Sequence, residues 1–251
     1  MAGATALHEV INYLVGTGWQ PHVIAIQEAN SGSGGNIYAM LAGLGGAYNQ
    51  PPVHATEGGS GGRGYLLITH NSVVGQGTFA RTDLGTDWVL QQWIKASLSL
   101  PAQKIAADEL AQMRMPAGAA LAFQGRNVPF LTWHAPRGPG PILSSATLKG
   151  GANPDSYLFL QNSGVYLALA GPGVNNLAII AADLNITVDQ INASTGIPAL
   201  PEVLDSWTGV SDNLDHIIGH PQAGQPVPAF QNSGNFLSVG THRILVSTVV
   251  W

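Results

Sequence analysis

The 251-residue sequence contains no cysteine, and that absence removes disulfides, thiol nucleophiles and cysteine-held metal centres together. It leaves the compartment open. Charge is also scarce: Asp, Glu, Lys and Arg make up 9% of the chain, against roughly 25% in ordinary soluble domains. Surface polarity must therefore come from Ser, Thr, Asn, Gln and the backbone. Lysine stands only at Lys95, Lys104 and Lys149, which a genome-wide composition bias explains better than selection on a protein that enters a foreign cell. The formal net charge is -5, so no global positive field attracts a polyanion, and any such partner is expected to bind weakly. The sequence shows neither a basic segment leading into an apolar one nor an apolar run of about 18 residues, so neither a signal peptide nor a membrane span is expected.

What is present suffices for a full core. Hydrophobic residues make up 45% of the chain, and 32 glycines with 16 prolines imply many turns. No charged tract or Pro-rich linker divides the sequence, so a single domain over residues 1–251 is expected. Leu7, Val10, Ile11 and Leu14 fall at helical spacing, as do Ile37, Met40, Leu41 and Leu44. Val23 to Ile26 reads as a short buried strand, and Tyr65 to Thr69 as another. From there the rhythm is β-rich, with strands expected at Ala119 to Phe123, Val128 to Trp133, Leu177 to Ala181, Leu214 to Ile218 and Ile244 to Val250. Asn153 before Pro154 supplies a helix start leading into Tyr157 to Leu169. The pattern predicts an α/β fold in which a mixed pair of sheets is covered by helices.

Because acidic residues are few, those that close apolar runs carry information. Glu28 ends Val-Ile-Ala-Ile-Gln-Glu, and Asp183 ends the run that begins at Leu177. His134 follows the run Val128 to Trp133, Asp215 opens Leu-Asp-His-Ile-Ile-Gly, and His242 precedes the last apolar segment. Any one of these alone reads most simply as a strand-end residue turning to solvent. Together with Asn185 they supply carboxylates for a cation or a water, an amide, and two imidazoles, which is the inventory that phosphodiester hydrolysis requires.

Gln27-Glu28, Thr132-Trp133-His134-Ala135-Pro136, Asp183-Leu184-Asn185, Leu214-Asp215-His216-Ile217 and Thr241-His242 follow one another along the chain. In order and approximate spacing they resemble the motifs of the endonuclease/exonuclease/phosphatase superfamily, and within it deoxyribonuclease I and the catalytic subunit of cytolethal distending toxin. Arg114-Met115-Pro116-Ala117 resembles a segment that sets an arginine near the substrate phosphate. The resemblance implies a two-sheet α/β sandwich and metal-dependent hydrolysis of DNA, with Mg, or Ca or Mn, as cofactor. It implies that Glu28 binds the cation and that His242, supported by Asp215, acts as base or stabilises the phosphorus centre. Asp183 would align the water, Asn185 would hold the phosphate, His134 would donate to the phosphate or the leaving oxygen, and Arg114 would add a bidentate phosphate contact. A role as a toxin effector, secreted or delivered without an N-terminal signal, is the corresponding expectation for location.

The pattern departs from the family at three places. The sequence begins after the family's first strand, which a partner chain would then have to supply; Gly240-Thr241-His242 lacks an acidic residue before its histidine; and Arg63 or its neighbour stands where a glutamate partners the first histidine. Two alternatives therefore stay open: a phosphatase acting on phosphoinositides or phospholipids, and a catalytically silent binding or scaffold subunit of the same fold. Other signals are weaker. His216 and His220 are four apart, but on a strand that spacing separates them by about 13 Å, so zinc is not expected there. The glycine clusters at 31–35 and 58–64 lack the Gly-Lys-Ser/Thr ending of a phosphate loop, and Trp88, Trp207 and Trp251 read as packing residues.

Overall fold

The computed structural model describes residues 8–9, 12–13, 16, 18, 20–30, 39, 48–49, 53–56, 63–75, 79–81, 83, 86, 88–97, 99–112, 114–135, 178–183, 208–212, 214–220, 229–232, 238–239, 242–243 and 245–250. A three-stranded antiparallel sheet contains β1 (Val23–Asn30), β2 (Val53–Thr56) and β3 (Arg63–Thr69) in the order β1-β3-β2. The larger sheet contains β4 (Val73–Gly75), β5 (Ala80–Arg81), β6 (Ala117–Phe123), β7 (Arg126–His134), β8 (Ala178–Asp183), β9 (Thr208–Asp212) and β10 (Asp215–His220). Its order is β4-β6-β7-β8-β10-β9, with β5 also on β6. Two short antiparallel pairs complete the strands: β11 (Ala229–Asn232) with β14 (Ser247–Val250), and β12 (Ser238–Val239) with β13 (His242–Arg243). Two helices, α1 (Trp88–Ser97) and α2 (Leu100–Gln112), lie between β5 and β6.

Burial explains why the strands read as continuous apolar runs. Gly64 to Ile68 of β3 and Phe130 to His134 of β7 are buried at every position, which requires cover on both faces of each sheet. Tyr65, Leu66, Ile68, Leu131, Trp133 and Ile180 are the most deeply buried large residues, each at 1% exposure or less. The β6–β7 turn consists of Gln124 and Gly125, both at positive φ, and Phe123 pairs Arg126 across it. That two-residue turn matches the strand twist, and Gly125 adopts its left-handed conformation without a Cβ clash.

One pairing differs from all others among the described strands: β7 and β8 run parallel, with Thr132 opposite Ala181 and His134 opposite Asp183. Both strands therefore deliver their last residues to the same edge of the sheet. β1 crosses this edge from the other layer, and Gln27 fixes the crossing. Its Nε2 donates to Thr132 Oγ1 (3.4 Å) and to the Ala181 carbonyl (3.3 Å), while its Oε1 accepts from the Asp183 amide (3.2 Å).

Several sequence expectations are corrected by this architecture. Glu28 lies inside β1 and not at its end, because the strand continues through a bulge to Asn30. α1 and α2 interrupt the stretch read as β-rich; Trp88 and Leu100 are 72% and 80% exposed, so their apolar residues do not mark one clean stripe. α2 begins after Ser99, whose carbonyl accepts the Gln103 amide, with Pro101 tolerated in the first turn. The final strand is Ser247–Val250, and His242–Arg243 forms a separate piece. His8, Glu9, Asn12, Tyr13 and Gly16 are helical; Leu7, Val10, Ile11 and Leu14, like the helix expected at 157–169, lie outside the described residues. Among the described residues no helix is long and apolar enough to cross a membrane.

Leu131→Ala empties a site that is 0% exposed, and urea unfolding is expected to show a loss of about 2–5 kcal/mol. Val74→Ala, at a position 60% exposed, should change stability by less than about 0.5 kcal/mol. Equal effects of the two would contradict the assigned core.

Candidate active site

The site is built on an irregularity in β1. Ile26 pairs Leu66 and Ala29 pairs Gly64, so Gln27 and Glu28 together oppose the single residue Tyr65. Such a bulge re-aims side chains beside a strand. Glu28 takes φ of +54°, a left-handed conformation that costs a residue with a Cβ roughly 1–2 kcal/mol. The strain is held by the pairing on both sides and by the Gln27 amide, and it sets the Glu28 carboxylate beside the end of β7.

His134 receives that carboxylate. Glu28 Oε1 lies 3.2 Å from His134 Nδ1, 3.1 Å from an Arg63 guanidinium nitrogen and 3.8 Å from Arg114 Nη1. Arg114 Nη1 stands 2.6 Å from Nδ1 and 3.0 Å from Nε2 of His134. A neutral imidazole offers one acceptor nitrogen, so only one of these two contacts is a hydrogen bond. With the proton on Nε2, Nδ1 accepts the shorter Arg114 contact and Nε2 keeps a donor for a further partner. On the far side of the ring, Asp183 Oδ2 is 3.6 Å from Nε2, outside good hydrogen-bond geometry but close enough for electrostatic influence. Two carboxylates and the Arg114 guanidinium thus lie around one imidazole, and Arg63 joins the cluster through Glu28. His134 and Asp183 are buried, whereas Glu28 and Arg63 are about half exposed.

Buried hydrogen bonds hold the frame of this cluster. The Tyr65 hydroxyl donates to the Met115 carbonyl (2.9 Å) and accepts the His134 amide (3.2 Å). Trp133 Nε1 donates to the Arg114 carbonyl (2.7 Å), and an Arg114 guanidinium nitrogen donates to the Ala135 carbonyl (3.3 Å). The segment before β6 is thereby tied at two consecutive carbonyls, and Arg114 is presented to His134 from a fixed backbone. Ala135 in turn donates its amide to the Asp183 carbonyl (2.8 Å), which joins the ends of β7 and β8.

Register extends the site along the sheet. His134 pairs Asp183 on β8, Asp183 pairs Asp215 on β10, and Asp215 pairs Asp212 on β9. Directly paired residues share a face with Cβ atoms about 4.5–5.5 Å apart, so His134, Asp183 and Asp215 form one row. Of the residues expected at the site, the structure brings together Glu28, Arg114, His134 and Asp183 and sets Asp215 beside them. Asn185 lies outside the described residues; His242 is described by its backbone in β13, paired with Val239. His216 and His220 both lie on β10, a strand. Among the described residues no group of three His, Asp or Glu side chains is placed to hold a metal ion.

Sequence reading assigned no role to Tyr65, named Gln27 only within the Gln27-Glu28 motif, and named Arg63 only as standing where a glutamate would partner the first histidine. A tyrosine within the apolar run of β3 was the available signal for Tyr65, because a buried phenol needs a polar partner. Gln27 and Arg63 act through the bulge and its register, which single-chain patterns do not show.

No protein-family model matches the sequence, and no curated protein matches it. Solved structures do overlap with the fold. A mannosyl-6-phosphatase from Bacteroides thetaiotaomicron overlaps with a TM-score of 0.54 at 10% identity, over 98% of this chain and 91% of that one. An endonuclease/exonuclease/phosphatase family protein from the same organism overlaps with a TM-score of 0.54 at 11% identity, over 98% of this chain and 85% of that one. Weaker overlap, with a TM-score of 0.47 at 13% identity and 92% and 83% coverage, is found with D. rerio TDP2 complexed with single strand DNA product. The chain has the two-sheet α/β sandwich fold of the endonuclease/exonuclease/phosphatase superfamily.

The strain at position 28 can be measured apart from the carboxylate. Glu28→Gly is expected to be more stable than Glu28→Ala by about 1 kcal/mol in denaturant unfolding, since only glycine adopts positive φ freely. Equal stabilities would remove the left-handed backbone from the description.

Proposed function

We propose that the chain is a divalent-cation-dependent phosphoesterase that hydrolyses phosphodiester bonds in DNA. The observation that carries this reading is the meeting of Glu28, Arg114, His134 and Asp183 at one edge of the paired sheets, within 4 Å contacts that run through His134. Their chemistry divides naturally. Arg114 offers a forked set of donors to a phosphate, and His134 donates a proton or a hydrogen bond to the phosphate or to the departing oxygen. Asp183, buried behind the imidazole, orients the attacking water or takes its proton, and Asp215 lies next to it in the same row. Asn185 and His242 complete the reading as phosphate holder and base.

Glu28 fits a magnesium-like cation in one respect, since such ions retain several waters and take one or two carboxylates together with substrate phosphate. The half-exposed Glu28 carboxylate would hold it. When bound, the cation would neutralise charge developing on the phosphate oxygens. The two arginines beside Glu28 must then yield or turn toward the phosphate.

A phosphomonoesterase is the second reading, favoured by the net charge of -5 and by two guanidinium groups at one point, which suit a compact dianion better than a long polyanion. Nicking of supercoiled plasmid with Mg²⁺ separates the two. Wild-type protein is expected to nick, and His134→Ala and Asp183→Asn are each expected to lose about 10²- to 10⁴-fold in rate. Phosphate release from a phosphoinositide or a sugar phosphate, without nicking, would establish the second reading instead. Equal background in all three proteins on every substrate would sink both and leave a binding subunit.

A further inference from the structure

The proposed chemistry asks the arginines beside Glu28 to yield, and Arg63 is the one placed to do so. It opens β3 directly opposite Asn30, two residues beyond the bulge, and its guanidinium approaches the same Glu28 oxygen that faces His134, at 3.1 Å. That oxygen belongs to the carboxylate assigned above to the cation, so guanidinium and cation contend for one ligand. Arg114, the other guanidinium near this oxygen, is farther away at 3.8 Å and is held by the Ala135 carbonyl and His134. Arg63 is more exposed and can swing away.

We infer that Arg63 is a built-in competitor for the cation: it pairs with Glu28 when no cation is bound and is released toward the phosphate when one binds. This rests on the reading of Glu28 as the cation's ligand. The pair suits such a role because an exposed guanidinium–carboxylate contact is weak and easily displaced, whereas a buried one would lock the site. Arg63 is a positioning residue here; its effect on the cation runs through Glu28.

The test is titration of the purified full chain with Mn²⁺, with free ion followed by electron paramagnetic resonance. Removing the competitor in Arg63→Ala is expected to tighten Mn²⁺ binding about two- to fivefold, the range of a weak exposed ion pair. Arg63→Lys, which keeps the charge, should stay near wild type. Glu28→Gln should weaken binding, and Arg63→Ala in that background should bring no gain. If Glu28→Gln weakens binding but Arg63→Ala does not tighten it, the competitor role is overturned while the cation assignment stands. If Glu28→Gln leaves Mn²⁺ affinity unchanged, the assignment of Glu28 fails and the competitor role falls with it.

Discussion

A single side-chain amide determines whether the two layers meet in register. Gln27 spends both of its protons and its carbonyl on Thr132, Ala181 and the Asp183 amide, so one residue of the small sheet contacts both parallel strands of the large one. Hydrophobic burial brings sheets together without fixing their lateral position, because it is non-directional. Directional hydrogen bonds between buried groups do fix it, since any sliding would leave those groups unsatisfied. The next residue along is Glu28, and its approach to His134 inherits its accuracy from this clamp.

Charge is concentrated where the fold allows it. The chain has few ionisable residues and a negative net charge, yet two arginines, two carboxylates and a histidine share one small region. Burying Asp183 and His134 at this point is costly unless each finds compensation. For the His134 ring Arg114 supplies it, so a group that would bind an anionic substrate also makes the buried imidazole tolerable.

Much of this was legible in the sequence. The apolar runs that became β1, β3, β6, β7, β8 and β10 are visible, most plainly in β3 and β7, which are covered on both faces, and His134 and Asp183 stood out because each closes such a run. Their meeting was expected only from the motif resemblance: it depends on β7 and β8 running parallel, which no local pattern encodes. The bulge in β1 was equally hidden, since Gln27 and Glu28 look like two ordinary strand residues until Tyr65 is found opposite both. α1 and α2 escaped because exposed Trp88 and Leu100 blur the helical stripe. Asn185 and His242, named from the motifs, have no described side-chain placement.

The sequence separations within the clamp have a consequence for assembly. Gln27 and the Asp183 amide are 156 positions apart, and Gln27 and Thr132 are 105 apart. Contacts so distant carry a loop-closure penalty before they return any enthalpy, which slows their formation. Collapsed intermediates can gather the hairpin of β6 and β7 early, whereas the crossing of β1 over the parallel pair must await the chain as far as Asp183. Nascent chains that have not reached Asp183 would then hold the β6–β7 part of the interior without the clamp that aligns Glu28 with His134.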